Sequence, residues 1–192
     1  GHWLPWKDAV YPRAGYDYGA VAVADFNGDT SLDLALAVHL RGLTVLLGDG
    51  KGAFRLGAGP EVFEPDAATR FTSRALVAHD WNRDGKADLI ALGEGPRPGG
   101  KGGGSFGTVV YLNQGSDQWR KQRLSAADNV FGDTLAAGDV NNDGQTDILT
   151  ASLAFDNKKL VQYGGGDTAA AEIAALPPRA YTYAVALADV DQ

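Results

Sequence analysis

The sequence predicts an all-β fold, a β-propeller of four-stranded antiparallel blades. Two repeated segments and one compositional feature predict it. An Asp-rich segment recurs at intervals of about 50 to 60 residues, and a short strand entering a glycine turn travels with it. Glycine contributes 26 of 192 residues, roughly twice its usual share of about 7%, and the apolar runs between glycines are short. Tight turns and short strands follow from that punctuation.

The Asp-rich segment appears first as VAVADFNGDTSLDLALAV, with Asp25, Asn27, Asp29, Ser31 and Asp33. It returns as ALVAHDWNRDGKADLIAL, with Asp80, Asn82, Asp84, Lys86 and Asp88, and as TLAAGDVNNDGQTDILTA, with Asp139, Asn141, Asp143, Gln145 and Asp147. A fourth copy, YAVALADVDQ, reaches Asp189 and Asp191 at the chain end. The companion segment reads VLLGDGKG from Val45, VYLNQG from Val110 and VQYGGG from Val161. A polar or alternating strand follows, as in Ala53–Gly57 and Gln118–Leu124. Each period thus holds four strands: one ending at the Asp loop, one leaving it, one entering the glycine turn, and one closing the unit. The second strand, for example Leu32–Val38, is almost wholly apolar, which suits a strand covered on both faces.

This division makes residues 1–15 a strand of a preceding or closing blade. Residues 16–66, 67–126 and 127–178 are three full blades, and 179–192 begin a truncated fourth repeat. Partial units at both ends point to a segment of a larger ring, with the remaining blades of the parent propeller as partners. Gly93–Gly107, a glycine-rich insertion in the second blade, is expected to be a mobile surface loop. Ala169–Leu176 has helical composition but occupies the place of a fourth strand.

The spacing D-x-N-x-D-x-x-x-D puts oxygen-bearing side chains at loop positions 1, 3, 5 and 9. Calcium takes six to eight oxygens, and the backbone carbonyl at position 7 would add one, which leaves Ser31, Lys86 and Gln145 free to vary. No histidine or cysteine lies in these loops to favour zinc, and magnesium prefers to keep its water. Three complete sites and a fourth incomplete one are expected. The EF-hand alternative needs a glutamate at position 12, where Leu36, Ala91 and Thr150 stand. The third copy, GDVNNDG, also opens like a dockerin loop, but dockerin loops lie closer together and continue into helices. Three dications against a formal charge of −7 would relieve clustered repulsion, so metal is expected to stabilise the fold.

The loops, the period and the glycine turns resemble FG-GAP or VCBS repeats, the calcium-binding units of integrin-type propellers. Phe131-Gly132-Asp133 followed by Leu135–Asp139 carries the likeness most closely. The resemblance implies a propeller, commonly seven-bladed, with calcium between the first and second strands. The first loop departs at position 6, where Thr30 replaces Gly85 and Gly144. A left-handed backbone there would strain a β-branched residue and make the first site the weakest.

Catalytic patterns are poorly supported, so the chain is not expected to be an enzyme. Gly103–Gly107 spells G-x-S-x-G, but a strand follows it where a hydrolase needs a helix. His2, His39 and His79 share no local cluster. The acidic charge disfavours nucleic acid, and no apolar run is long enough for membrane insertion by a helix. A secreted, cell-surface or periplasmic ligand-binding or adhesion scaffold is the expected role, with a protein or glycan partner. A lectin-type propeller is one alternative, and an accessory propeller of a secreted polysaccharide-acting enzyme or toxin is another. Trp81 and Trp119, near loops, would stack on sugars in a lectin or pack between blades in a scaffold.

Overall fold

The computed structural model describes residues 18–61, 71–96, 104–124, 130–151, 159–162, 170–174 and 184–188. Within them the chain forms three four-stranded antiparallel sheets and no helix. The first holds β1 (Gly19–Ala24), β2 (Asp33–Val38), β3 (Gly42–Gly48) and β4 (Phe54–Leu56). The second holds β5 (Ser73–His79), β6 (Asp88–Gly93), β7 (Thr108–Gly115) and β8 (Gln118–Arg123). The third holds β9 (Leu135–Gly138), β10 (Asp147–Ala151), β11 (Lys159–Gln162) and β12 (Ala170–Ala174). In each sheet the strands lie in chain order, as a meander. The stretch of helical composition, Ala169–Leu176, therefore contributes a strand: pairing with β11 overrides alanine's helix preference.

First strands neighbour one another, β1 against β5 and β5 against β9. Residues 184–188 continue this row, because the Val185 N–H donates to Thr134 Oγ1 (3.0 Å) and Leu187 lies against Gly138.

The second sheet explains why the inner strands read as unbroken apolar runs. Strand period two sends Leu89, Ala91, Val109 and Tyr111 toward the first sheet, where Ala35, Ala37, Leu43, Val45 and Leu47 meet them. The alternate residues Ile90, Leu92, Val110 and Leu112 face the third sheet and meet Leu135 and Ile148. Both faces are dry, so no polar alternation survives. Tyr111 is wholly buried in the first interface, and its hydroxyl donates to Glu61 (2.8 Å). Burial, then the Glu61 charge, drive its phenol well above the ordinary range.

The FG pair has a packing role at the second interface. The Phe131 ring sits over Gly95, where an added Cβ would lie 2.3 Å from it, and Phe106 meets Phe131 edge-on at 5.6 Å. The Gly132 N–H donates to the Gly93 carbonyl (3.0 Å). Gly95 also has φ of +93°, so a side chain there is both strained and obstructed.

The glycine-rich insertion is not wholly a mobile surface loop. Gly95 and Ser105 pair across its base, and Ser105 is buried. Its tip, 97–103, lies outside the described residues.

Replacing Gly95 with Ala should therefore cost about 2–4 kcal/mol, adding left-handed strain to overpacking. The urea unfolding midpoint measures it, and an unchanged midpoint would mean Phe131 does not rest there.

Candidate metal-binding loops

The three complete Asp loops join the first strand to the second in each sheet and share one hydrogen-bonded conformation. At position 1, one oxygen of Asp25, Asp80 and Asp139 accepts the position-5 N–H (3.2, 3.1 and 3.1 Å). Its other oxygen accepts the position-6 N–H (2.7, 2.9 and 2.7 Å). The position-3 amides of Asn27, Asn82 and Asn141 accept from the position-5 N–H and donate to the position-5 carboxylate. That carboxylate then accepts the position-7 N–H. The side chains are thus wound inward on a curled backbone, as Asx turns favour.

Curling requires left-handed backbone at two positions. Position 4 is Gly28 (φ +79°), Arg83 (+60°) and Asn142 (+58°). Position 6 is Thr30 (+72°), Gly85 (+83°) and Gly144 (+77°). Every loop has one glycine for the two sites, and in the first loop it stands at position 4. Thr30 is consequently held where a β-branched side chain is costly.

The position-9 aspartates sit apart from this ring of exposed oxygens. Asp33 and Asp88 are fully buried. Asp33 accepts from Phe26 N–H (2.8 Å) and Gly48 N–H (2.8 Å). Asp88 accepts from Trp81 N–H (3.0 Å) and Asn113 N–H (2.7 Å). Asp147 accepts from Val140 N–H (2.8 Å). Desolvation pushes the carboxyls of Asp33 and Asp88 up, and their backbone donors oppose it. Two exposed position-5 carboxyls are held down instead, Asp29 by the Asn27 side chain and Asp84 by Lys86.

Among the described residues no three acidic or histidine side chains yet converge as a metal-binding group. The donor chemistry nevertheless fits a hard cation. The loops offer carboxylate and amide oxygens without sulfur or imidazole. Oxygens such as Asp25 Oδ2 that accept one hydrogen bond keep a second lone pair, whereas Asp25 Oδ1 accepts from both Gly28 and Asp29 N–H. In the second loop a cation is already present, since Lys86 Nζ lies 3.0 Å from Asp84. A metal there must displace it. Asp189 and Asp191 lie outside the described residues.

One residue of the site escaped the motif. Asn113, buried at the end of β7, donates through its side chain to the carbonyls of Phe26 (2.8 Å) and Ala87 (3.2 Å). It thereby ties the first loop to the second across the sheet interface. The sequence gives no local sign of this, because the two carbonyls belong to different repeats.

The FG-GAP-like repeat matches residues 25–91 and again 80–150, and the FG-GAP repeat matches residues 131–170. The chain belongs to the FG-GAP repeat family. No curated protein matches it. FG-GAP repeats form propellers, a scaffold often used in adhesion or ligand binding, and the three sheets are its four-stranded units.

Two substitutions probe the loops, both measured in chelator so that no ion contributes. Thr30→Gly should stabilise by about 1 kcal/mol through relief of left-handed strain. Asp88→Asn should cost about 1–3 kcal/mol, since its amide nitrogen would face a buried N–H donor. Urea titration reads both, and a neutral Asp88→Asn would show that the buried carboxylate is dispensable.

Proposed function

We propose that this FG-GAP segment is a calcium-stabilised part of an extracytoplasmic propeller, serving as a ligand-binding or adhesion scaffold rather than as an enzyme. The observation that carries this reading is the shared loop conformation: three oxygen-rich loops stand at the same end of three successive sheets. Asp25, Asn27 and Asp29, with their counterparts, would supply side-chain oxygens to Ca²⁺. Ser31, Lys86 and Gln145 would supply main-chain carbonyls, and Asp33, Asp88 and Asp147 would complete each shell or brace it from behind. Binding would replace the Asn–Asp side-chain contacts and neutralise carboxylates that now crowd one another.

The absence of catalysis is proposed on the fate of the G-x-S-x-G pattern. Ser105 Oγ accepts the Thr72 N–H (2.8 Å) and lies 3.1 Å from Thr72 Oγ1. Such a buried, hydrogen-bonded hydroxyl fits a structural role.

Trp81 and Trp119 favour a scaffold over a lectin. The Trp119 indole donates to the Ala58 carbonyl (2.9 Å) and packs near Phe26, and Trp81 packs on the second interface.

A preceding blade is proposed as the neighbour of the first sheet. Val21 and Val23 are 56% and 52% exposed, whereas Leu76, four residues before its own Asp80 as Val21 is before Asp25, is buried by the first sheet. The missing cover on β1 is thus of the kind β5 receives.

Calorimetric titration with Ca²⁺, paired with melting curves in Ca²⁺ and in EGTA, tests the proposal. Binding at about three sites with a raised Tm is expected; no heat and an unchanged Tm would overturn it. Lys86→Gln should tighten the second site, by removing the resident cation, and leave the third unchanged. Equal affinities in the two proteins would show that Lys86 does not compete.

A further inference from the structure

The end of the sheets opposite the Asp loops carries a line of charged residues that the scaffold reading does not use. Glu94 follows β6, and its side chain is only 3% exposed. One of its oxygens accepts from the Leu40 N–H (3.1 Å) and the Thr72 hydroxyl. The other takes His39 Nδ1 (2.7 Å) and lies 3.8 Å from Arg74 Nε. Arg74 Nη2 in turn pairs with Asp133 (2.7 Å), just before β9. Tyr18 closes the line, stacked on His39 at 4.6 Å and 3.4 Å from Arg74 Nη1 through its hydroxyl. Three successive sheets are joined by this clasp.

Its members occupy matching places in the repeat. His39 and Glu94 both lie six residues after the position-9 aspartate of their loops, Asp33 and Asp88. Arg74 and Asp133 both lie six residues before the position-1 aspartate, Asp80 and Asp139. The first repeat has Gly19 there, where an added Cβ would lie 1.8 Å from the Ala37 carbonyl oxygen. Equivalent positions thus carry complementary groups in two pairs, His39 with Glu94 and Arg74 with Asp133, whereas the third repeat has Leu153 six residues after Asp147. Both apolar interfaces draw mainly on alanine, valine and leucine, which carry no charge to match or mismatch.

We propose that these positions form a neighbour code: the clasp makes each blade accept its own successor and rejects mispaired repeats. Glu94 is buried and Arg74 half-buried, so a wrong partner leaves a desolvated carboxylate unpaired and a partly shielded guanidinium without its acid. Were the third blade to meet the first, Asp133 would face Gly19, which offers no cation.

The test uses the full chain with Glu94→Gln, Asp133→Asn, Arg74→Met, and the Arg74→Met/Asp133→Asn pair. Each variant is unfolded in urea, refolded by dilution, and sorted by size with light scattering. Ile90→Val, a core change at the same interface, controls for lost stability. The single variants should lower Tm by about 3–10 °C, and the pair should cost less than the sum of its members. The clasp variants should also give several-fold more misassembled oligomer than the control. Additive Tm losses, or misassembly no greater than in Ile90→Val, would overturn the code. Asp133→Asn, the mildest and most exposed change, keeps the test decisive if Glu94→Gln does not fold.

Discussion

A buried carboxylate at the ninth position of each loop is the constraint on which the rest depends. Asp33 and Asp88 lie at the start of the second strand, inside the packed sheets. Each uses both oxygens on backbone N–H groups, one in its own loop and one at or near the end of the third strand. A charge so placed is expensive unless fully hydrogen-bonded. Here that demand joins three parts of a blade that sequence distance separates. The loop can curl only because its exit is anchored, and the third strand ends in register because its terminal N–H has a fixed acceptor.

The exposed and buried aspartates of one motif thus do different physical work. Positions 1 and 5 face solvent and gather backbone donors into a tight curl, leaving oxygens that suit a cation. Position 9 is withdrawn and braces them. Desolvation pushes the carboxyls of Asp33 and Asp88 up, while side-chain donors hold those of Asp29 and Asp84 down. One repeated spacing therefore holds exposed oxygens on the curl and a buried carboxylate at the start of the second strand.

Between blades the same economy appears. Strand alternation supplies two dry faces from one sheet, while polar contacts at the two ends set how neighbouring sheets meet. At the loop end Asn113 reaches the first blade's Phe26 carbonyl. At the far end Glu94 and Arg74 reach in both directions. Phe131 over Gly95 fills the space beside that line, which gives the FG signature a steric meaning.

The repeat, its four strands, the loop residues and the expected cost of Thr30 at position 6 are legible in the sequence, because each is local: spacing, period and backbone preference lie within one unit. Glycine turns end the third strands of the first two sheets as read, and the three complete Asp loops join first to second strands; the third glycine turn lies outside the described residues. Packing decides everything that crosses between units or selects among equal residues. No local signal marks Asn113, Glu94 or Arg74, since each also has a partner in another repeat: Phe26 for Asn113, His39 and Leu40 for Glu94, and Asp133 for Arg74. Nor can spacing tell that Asp88 is buried while Asp84 is exposed, or that Ser105 is pinned within a glycine-rich insertion. Those outcomes depend on which groups lose water when sheets meet, and desolvation is a property of the packed assembly rather than of any stretch of chain.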